Sequence, residues 1–124
     1  MTTEINTPTA KETKLVHEEA LALLKKQLKE LDGIAERHYQ EVAEEARHWI
    51  WHTEAIVAKA FGKDSPQYEK IAGTRKAAQR MQQHYDGGPE HERLQLAYED
   101  RSRQRKTVVK SLIQELEMMI EIGD

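Results

Sequence analysis

The sequence predicts an all-α protein: an elongated antiparallel bundle of about four helices, completed by oligomerisation. Three observations point to this fold class. Apolar residues recur every three or four positions almost throughout, which is the period of an amphipathic helix. The 124 residues include only 6% aromatic residues, three prolines and no cysteine, a composition that favours helices. Glycine, proline and acidic residues cluster at three points and so divide the chain into four segments.

The first two helices are predicted over residues 9–31 and 34–61. Thr9 and Glu12 have the spacing of a capping box at the start of the first helix. Leucines then recur at helical spacing up to Gly33, where we expect this helix to stop. In the second segment the apolar residues keep an unbroken alternation of three- and four-residue steps, as one face of a long helix requires.

The last two helices are predicted over residues 65–85 and 90–122. Ser65 and Pro66 fit the N-cap and the first position of the third helix. Its apolar face is thin, and Gly73 near its midpoint is expected to fray or break it. A Gly-Gly-Pro turn then reverses the chain into the fourth helix.

Length and composition limit the class of protein. The chain suits a single helical domain over residues 9–122, after a disordered N-terminus over residues 1–8. No apolar run reaches the ~20 residues that span a bilayer, and the start of the chain lacks a signal-peptide core, so we expect a cytoplasmic protein. The absence of cysteine excludes disulfides and thiolate metal sites.

Aromatic residues mark a packing centre in the second helix, which ends with both tryptophans and the only phenylalanine. In the last helix an apolar seam offers more surface than the thin third helix can cover, which favours a homodimer. We expect six side chains to form packing or interface contacts: Trp49, Phe61, Val109, Leu112, Leu116 and Met119.

The same seam, followed towards the N-terminus, reaches two polar residues, Arg105 and Ser102. An unpaired arginine in a protein interior is costly. Arg105 is therefore expected to reach solvent, to pair with a carboxylate or to meet an anionic ligand.

Basic residues concentrate in one part of the chain. The net charge is −3, yet residues 70–110 contain ten Lys/Arg and five Asp/Glu. If the third and fourth helices are antiparallel, arginines from both can meet on one surface and bind an anion. The candidate residues for this site are Arg75, Arg80, Arg101 and Arg105. A solvated charged face is the alternative interpretation of the same pattern.

No catalytic constellation is evident, so we expect a protein that is not an enzyme and needs no cofactor. His48 and His52 lie four residues apart, but they lack both the internal glutamate of a zinc-protease motif and a third ligand. Surface histidines are the preferred interpretation, and no metal site is predicted. Aromatic residues do not alternate with the basic ones, so no extended nucleic-acid groove is expected either.

Three stretches together resemble a known type of domain: Trp51–Ile56, Phe61–Tyr68 and Arg105–Glu117. The pattern is similar to the helical N-terminal domain that precedes TIR-like nucleotide-binding domains and other effector modules in bacterial defence-type proteins. The likeness covers residues 20–120, and the turn with the letters FGKDSPQ is its most specific part. It implies an interaction, oligomerisation or ligand-responsive module. Because this chain ends after the helical region, we expect it to stand alone, without a fused effector.

Two functions follow as expectations. The first is a non-catalytic protein–protein interaction or oligomerisation module in a bacterial or phage defence context, with a second copy of itself and an effector protein as partners. The alternative is a protein that binds or sequesters a small anionic ligand, such as a nucleotide signal, through the four arginines.

Overall fold

The computed structural model describes the backbone of residues 9–84 and 90–122, and the side chains at 9, 12–76 and 92–122. Over these residues the chain forms four α-helices and no strand. The helices are α1 (Ala10–Ala35), α2 (Tyr39–Phe61), α3 (Pro66–His84) and α4 (Glu90–Ile122). The predicted all-α bundle of four helices is therefore confirmed. No helix among the described residues combines the length and the apolar character needed to cross a membrane.

The four helices are arranged in a ring. α1 and α3 each pack against both α2 and α4, whereas α2 and α4 meet at only a few positions across the bundle. Two ion pairs show that α1 and α4 run antiparallel: Lys25 lies 4.0 Å from Glu117, and Lys106 lies 2.9 Å from Asp32. With 33 residues, α4 extends about 50 Å at the usual helical rise, which gives the bundle its elongated form.

The first helix starts as predicted but ends later. Thr9 accepts a hydrogen bond from the Glu12 amide at 3.1 Å, and the Glu12 carboxylate accepts one from the Thr9 amide at 3.3 Å, which together form the capping box. The predicted stop at Gly33 is wrong, because α1 continues to Ala35. One further turn buries Ile34 in the core, and this gain outweighs the roughly 1 kcal/mol that glycine costs inside a helix.

The second helix starts later than predicted, at Tyr39 instead of residue 34. His38 is its N-cap, and its Nδ1 atom accepts a hydrogen bond from the Gln40 amide at 3.2 Å. The carbonyl of Ile34 at the end of α1 accepts hydrogen bonds from the Arg37 amide and from the hydroxyl of Tyr98 on α4. The connection between α1 and α2 is thereby tied to α4, which packs beside α1.

The turn between α2 and α3 follows the prediction. Gly62 has a φ of 96° and donates its amide to the carbonyl of Ala58 at 2.8 Å. The Ser65 hydroxyl accepts from the amide of Tyr68 at 3.1 Å and so caps α3. The break expected at Gly73 is wrong, since α3 is continuous from Pro66 to His84.

The core confirms the predicted seam of α4. Arg105 and Ser102 are buried in line with the apolar seam residues. Phe61 and Tyr68 pack partly buried against the same cluster. The buried apolar side chains that the four helices share include Leu24, Leu31, Val42, Trp49, Ile56, Val57, Ile71, Val109, Leu112 and Leu116. Of the expected packing residues, only Met119 and Phe61 retain intermediate exposure.

Substitution of two glycines by alanine should have opposite effects. Gly33 lies inside α1 with no atom within 4 Å of an added Cβ, so Gly33→Ala should raise the free energy of unfolding by about 0.5–1 kcal/mol. Gly62→Ala should lower it by about 1–3 kcal/mol, because its positive φ disfavours any residue with a Cβ. Urea denaturation measures both changes. A stabilising Gly62→Ala would show that the turn has a different backbone conformation.

Candidate functional site

A cavity of about 480 Å³ opens between α2, α3 and α4. Four of the described residues that line it are arginines, and we call it the arginine cavity. Its described lining consists of Tyr39, Ala43, Ala46, Arg47, Ile50, Trp51, Arg75, Leu94, Tyr98, Arg101 and Arg105. Its volume falls in the range of small-molecule binding sites, which is roughly 300–1,000 Å³.

Arg105 forms the buried floor of the arginine cavity, with only 5% of its surface exposed. Its Nε donates a hydrogen bond to the Thr74 hydroxyl at 3.2 Å. Its guanidinium lies over the indole of Trp49, 5.9 Å from the ring centroid, within range of a cation–π interaction. Burial lowers the pKa of Arg105 to about 9, and the nearby charge of Arg101 adds to this effect. At neutral pH the group is therefore still a cation.

Trp49 is held in place by a closed set of buried hydrogen bonds. Its indole Nε1 donates to the carbonyl of Gln27 on α1 at 2.8 Å. The Gln27 amide donates in return to the Thr53 hydroxyl at 2.8 Å and to the Trp49 carbonyl at 3.3 Å. Thr53 in turn donates to the Trp49 carbonyl at 2.8 Å. The ring that supports Arg105 is thus fixed by α1 and α2 together.

Arg101 lies one turn before Arg105 on the same face of α4. Its Nε atom is buried and has no hydrogen-bond partner among the described residues. Burial lowers the pKa of Arg101, partly offset by the neighbouring Tyr98. Burial also raises the pKa of Tyr98, which keeps its phenol protonated and able to donate to α1. Within the described side chains, neither Arg101 nor Arg105 forms an ion pair with a carboxylate.

Arg75 on α3 is the arginine of the cavity that has a carboxylate partner. It binds Glu54 of α2 through two hydrogen bonds, from Nε at 3.2 Å and from Nη2 at 3.0 Å. The hydrogen bond to Glu54, with the charge of that carboxylate, raises the pKa of Arg75. The Glu54 side chain is only 7% exposed, against 38% for Arg75. Four guanidinium groups therefore line the cavity, and the carboxylate of Glu54 binds one of them, that of Arg75.

Two residues of α2 lie at the mouth of the arginine cavity. Arg47 and Trp51 are separated by one helical turn, and both are exposed. The indole of Trp51 makes an edge-to-face contact with His48, with ring centroids 6.0 Å apart. The walls thus change from buried Arg105 and half-buried Arg101 at the floor to an exposed cation and an aromatic ring at the entrance.

The structure brings three of the four predicted anion-binding residues together: Arg75, Arg101 and Arg105 line one cavity. The side chain of Arg80, the fourth, lies outside the described residues. Sequence reasoning missed Arg47, because it stands alone on α2, away from the dense basic runs of α3 and α4. The sequence nevertheless contained a signal for Arg47, since it is four residues before Trp51 and lies on the same face of the helix.

The two histidines weighed as metal ligands lie elsewhere. His48 and His52 are exposed and line a separate groove of about 490 Å³ between α1 and α2. In the described part of the chain, no three side chains of the histidine, cysteine or acidic type are grouped so that they could hold a metal ion.

Comparison of the chain with protein-family models, with curated proteins and with solved structures finds no match. The resemblance to the helical domain of defence-type proteins therefore stays a prediction, and any statement about function depends on the geometry of the site.

The Glu54–Arg75 pair should respond unequally to loss of its two members. Arg75→Ala leaves a carboxylate buried without its partner, which should lower the free energy of unfolding by about 3 kcal/mol. Glu54→Gln should cost less, because Arg75 can turn towards water. Denaturant unfolding measures both penalties, and a larger penalty for Glu54→Gln would contradict this ranking.

Proposed function

We propose that the protein is a non-catalytic binding protein for a small anionic ligand, which it holds in the arginine cavity. The observation that carries this proposal is the pair of cations at the floor, buried Arg105 and half-buried Arg101, whose Nε atom is buried, with no carboxylate partner among the described residues. A phosphate or carboxylate group accepts two parallel hydrogen bonds from a guanidinium, and such charge-assisted bonds are about twice as strong as neutral ones. An anion entering the cavity would supply the missing acceptor.

The energetics of Arg105 support binding over a purely structural role. Removal of a cation from water costs several kcal/mol unless good partners replace the lost hydration. A hydroxyl at 3.2 Å and an aromatic face at 5.9 Å replace only part of it. An apolar residue at this seam position would pack with less penalty. The net positive charge of the cavity would also attract an anion from solution before contact.

The composition of the lining favours binding without chemistry. The described lining residues are arginines, aromatic residues and aliphatic residues. They include no histidine, acidic residue, serine or cysteine, which are the usual groups for proton transfer and nucleophilic attack at neutral pH. The site is therefore suited to recognise an anion and to retain it unchanged.

Inorganic phosphate tests this proposal by thermal unfolding. A ligand at a hundred times its Kd stabilises the folded state by about 2.7 kcal/mol, so phosphate should raise the Tm by several degrees over sodium chloride of equal ionic strength. Because phosphate also stabilises proteins non-specifically, the informative comparison is between variants. Arg105→Leu should lose the specific part of the increase, and without phosphate it should be as stable as the parent or more stable.

The matched control is Arg103→Leu, which removes the same charge from an exposed position on the same helix, where the side chain is 73% exposed. It should keep the full response to phosphate. An equal response in the parent and both variants would contradict a binding role for Arg105 and refute the proposal.

Self-association is a second candidate function, and an exposed apolar cluster favours it. Leu15 on α1 and Met118 and Ile122 on α4 are all more than half exposed. Because α1 and α4 are antiparallel, the start of one helix lies beside the end of the other. The α4 seam that predicted a dimer interface cannot form one, because Val109, Leu112 and Leu116 are fully buried within one chain. A homodimer would instead use this end of the bundle.

Light scattering measures this association. The parent should have a mass above that of the 14.4 kDa chain, and the double substitution Met118→Ser with Ile122→Ser should return it to the monomer mass, because the apolar area that drives association is removed. A monomer mass for the parent at every concentration would exclude the dimer. A defence context and an effector partner remain proposals that depend on the sequence resemblance alone.

A further inference from the structure

The position of Trp51 indicates a chemical property of the ligand in addition to its negative charge. Trp51 is one of the largest apolar side chains of the protein, yet 53% of its surface is exposed. It lines the same cavity as the four arginines and lies at the mouth, beside Arg47. The edge contact with His48 limits the freedom of the indole. An aromatic ring therefore lines the same cavity as the cations of its floor.

We infer that the ligand of the arginine cavity is an anion that carries a planar aromatic ring, as a nucleoside monophosphate does. The ring stacks on Trp51 at the mouth, and the phosphate reaches Arg101 and Arg105 below. This inference rests on the proposed function and adds the chemical class of the ligand. Stacking of a base on an aromatic side chain is favourable for every base, because each has a π face.

A second copy of the chain is a poorer occupant of this surface. The exposed apolar group at the mouth is a single indole, and it is flanked by the charge of Arg47 and by the three other guanidinium groups of the cavity. In a dimer with two-fold symmetry the same patch from each copy would meet, or lie close by, and like charges would be brought together. A small anion neutralises these charges instead.

Calorimetric titration with adenosine monophosphate and with ribose-5-phosphate tests this inference on the full chain. Both compounds carry the same phosphate ester, and they differ in the base. The parent should bind adenosine monophosphate more tightly, by roughly 5- to 150-fold, which is the range for stacking one base on an aromatic residue. Trp51→Ala should equalise the two affinities by weakening only adenosine monophosphate. Trp51→Phe keeps a ring and should retain part of the preference.

The possible failures are distinguishable. Equal affinities in the parent would overturn the inference and leave the proposed function intact. Binding of neither compound to the parent would refute both. A Trp51→Ala variant that loses both ligands equally would show that Trp51 supports the floor and does not contact a base. A change of oligomeric mass in Trp51→Ala, with the preference unchanged, would assign the indole to an interface between copies. Because Trp51 is exposed, the variant should keep the circular dichroism spectrum of the parent.

Discussion

The fixed position of Trp49 is the constraint on which both the bundle and the arginine cavity depend. One edge of its indole is hydrogen-bonded to the Gln27 carbonyl on α1, and one face lies under the guanidinium of Arg105 on α4. The Gln27 amide and the Thr53 hydroxyl satisfy the remaining buried polar groups nearby. Because every member of this network has a partner, it sets the register of α1 against α2 without the penalty of an orphaned donor.

The same residue links the stability of the bundle to the proposed binding site. A shift of Trp49 would move the aromatic face away from Arg105 and leave that cation with one hydroxyl as its partner. The core thus includes a charge that a hydrophobic replacement would remove at little or no cost in stability. A buried charge that does not stabilise the fold requires another explanation. A titratable group that lies in a cavity and has a strongly perturbed pKa is therefore a candidate for a functional site. In this protein burial lowers the pKa of both Arg101 and Arg105, and both line the same cavity.

Much of the fold could be predicted because it follows from periodicity and capping. The seam of α4 was followed through Ser102 and Arg105, and both residues are buried. The end of α1 and the start of α2 were missed because they depend on tertiary contacts: burial of Ile34 extends α1 past Gly33, and the Tyr98 hydroxyl of α4 donates to the Ile34 carbonyl. Propensity alone, which disfavours glycine in a helix, contains no information about such contacts.

The site was only partly predictable for a related reason. Sequence reasoning left three environments open for Arg105: solvent, a carboxylate or an anionic ligand. The structure excludes solvent, and it assigns the nearby carboxylate, Glu54, to Arg75. Which of 22 acidic residues would reach which arginine depends on how three helices pack. The role of Arg47 likewise depends on the cavity that it faces and not on its sequence neighbours.

The central claim is that Arg105 and Arg101 at the floor of the arginine cavity bind an anion, and arginine side-chain NMR tests it most directly. In a ¹H–¹⁵N spectrum each Nε–H group gives its own signal, and the Arg105→Leu and Arg101→Leu variants identify two of them. During titration with inorganic phosphate, the Arg105 and Arg101 signals should shift together and saturate, while that of exposed Arg103 stays nearly constant. Shifts confined to exposed arginines, or none that saturate, would contradict the claim.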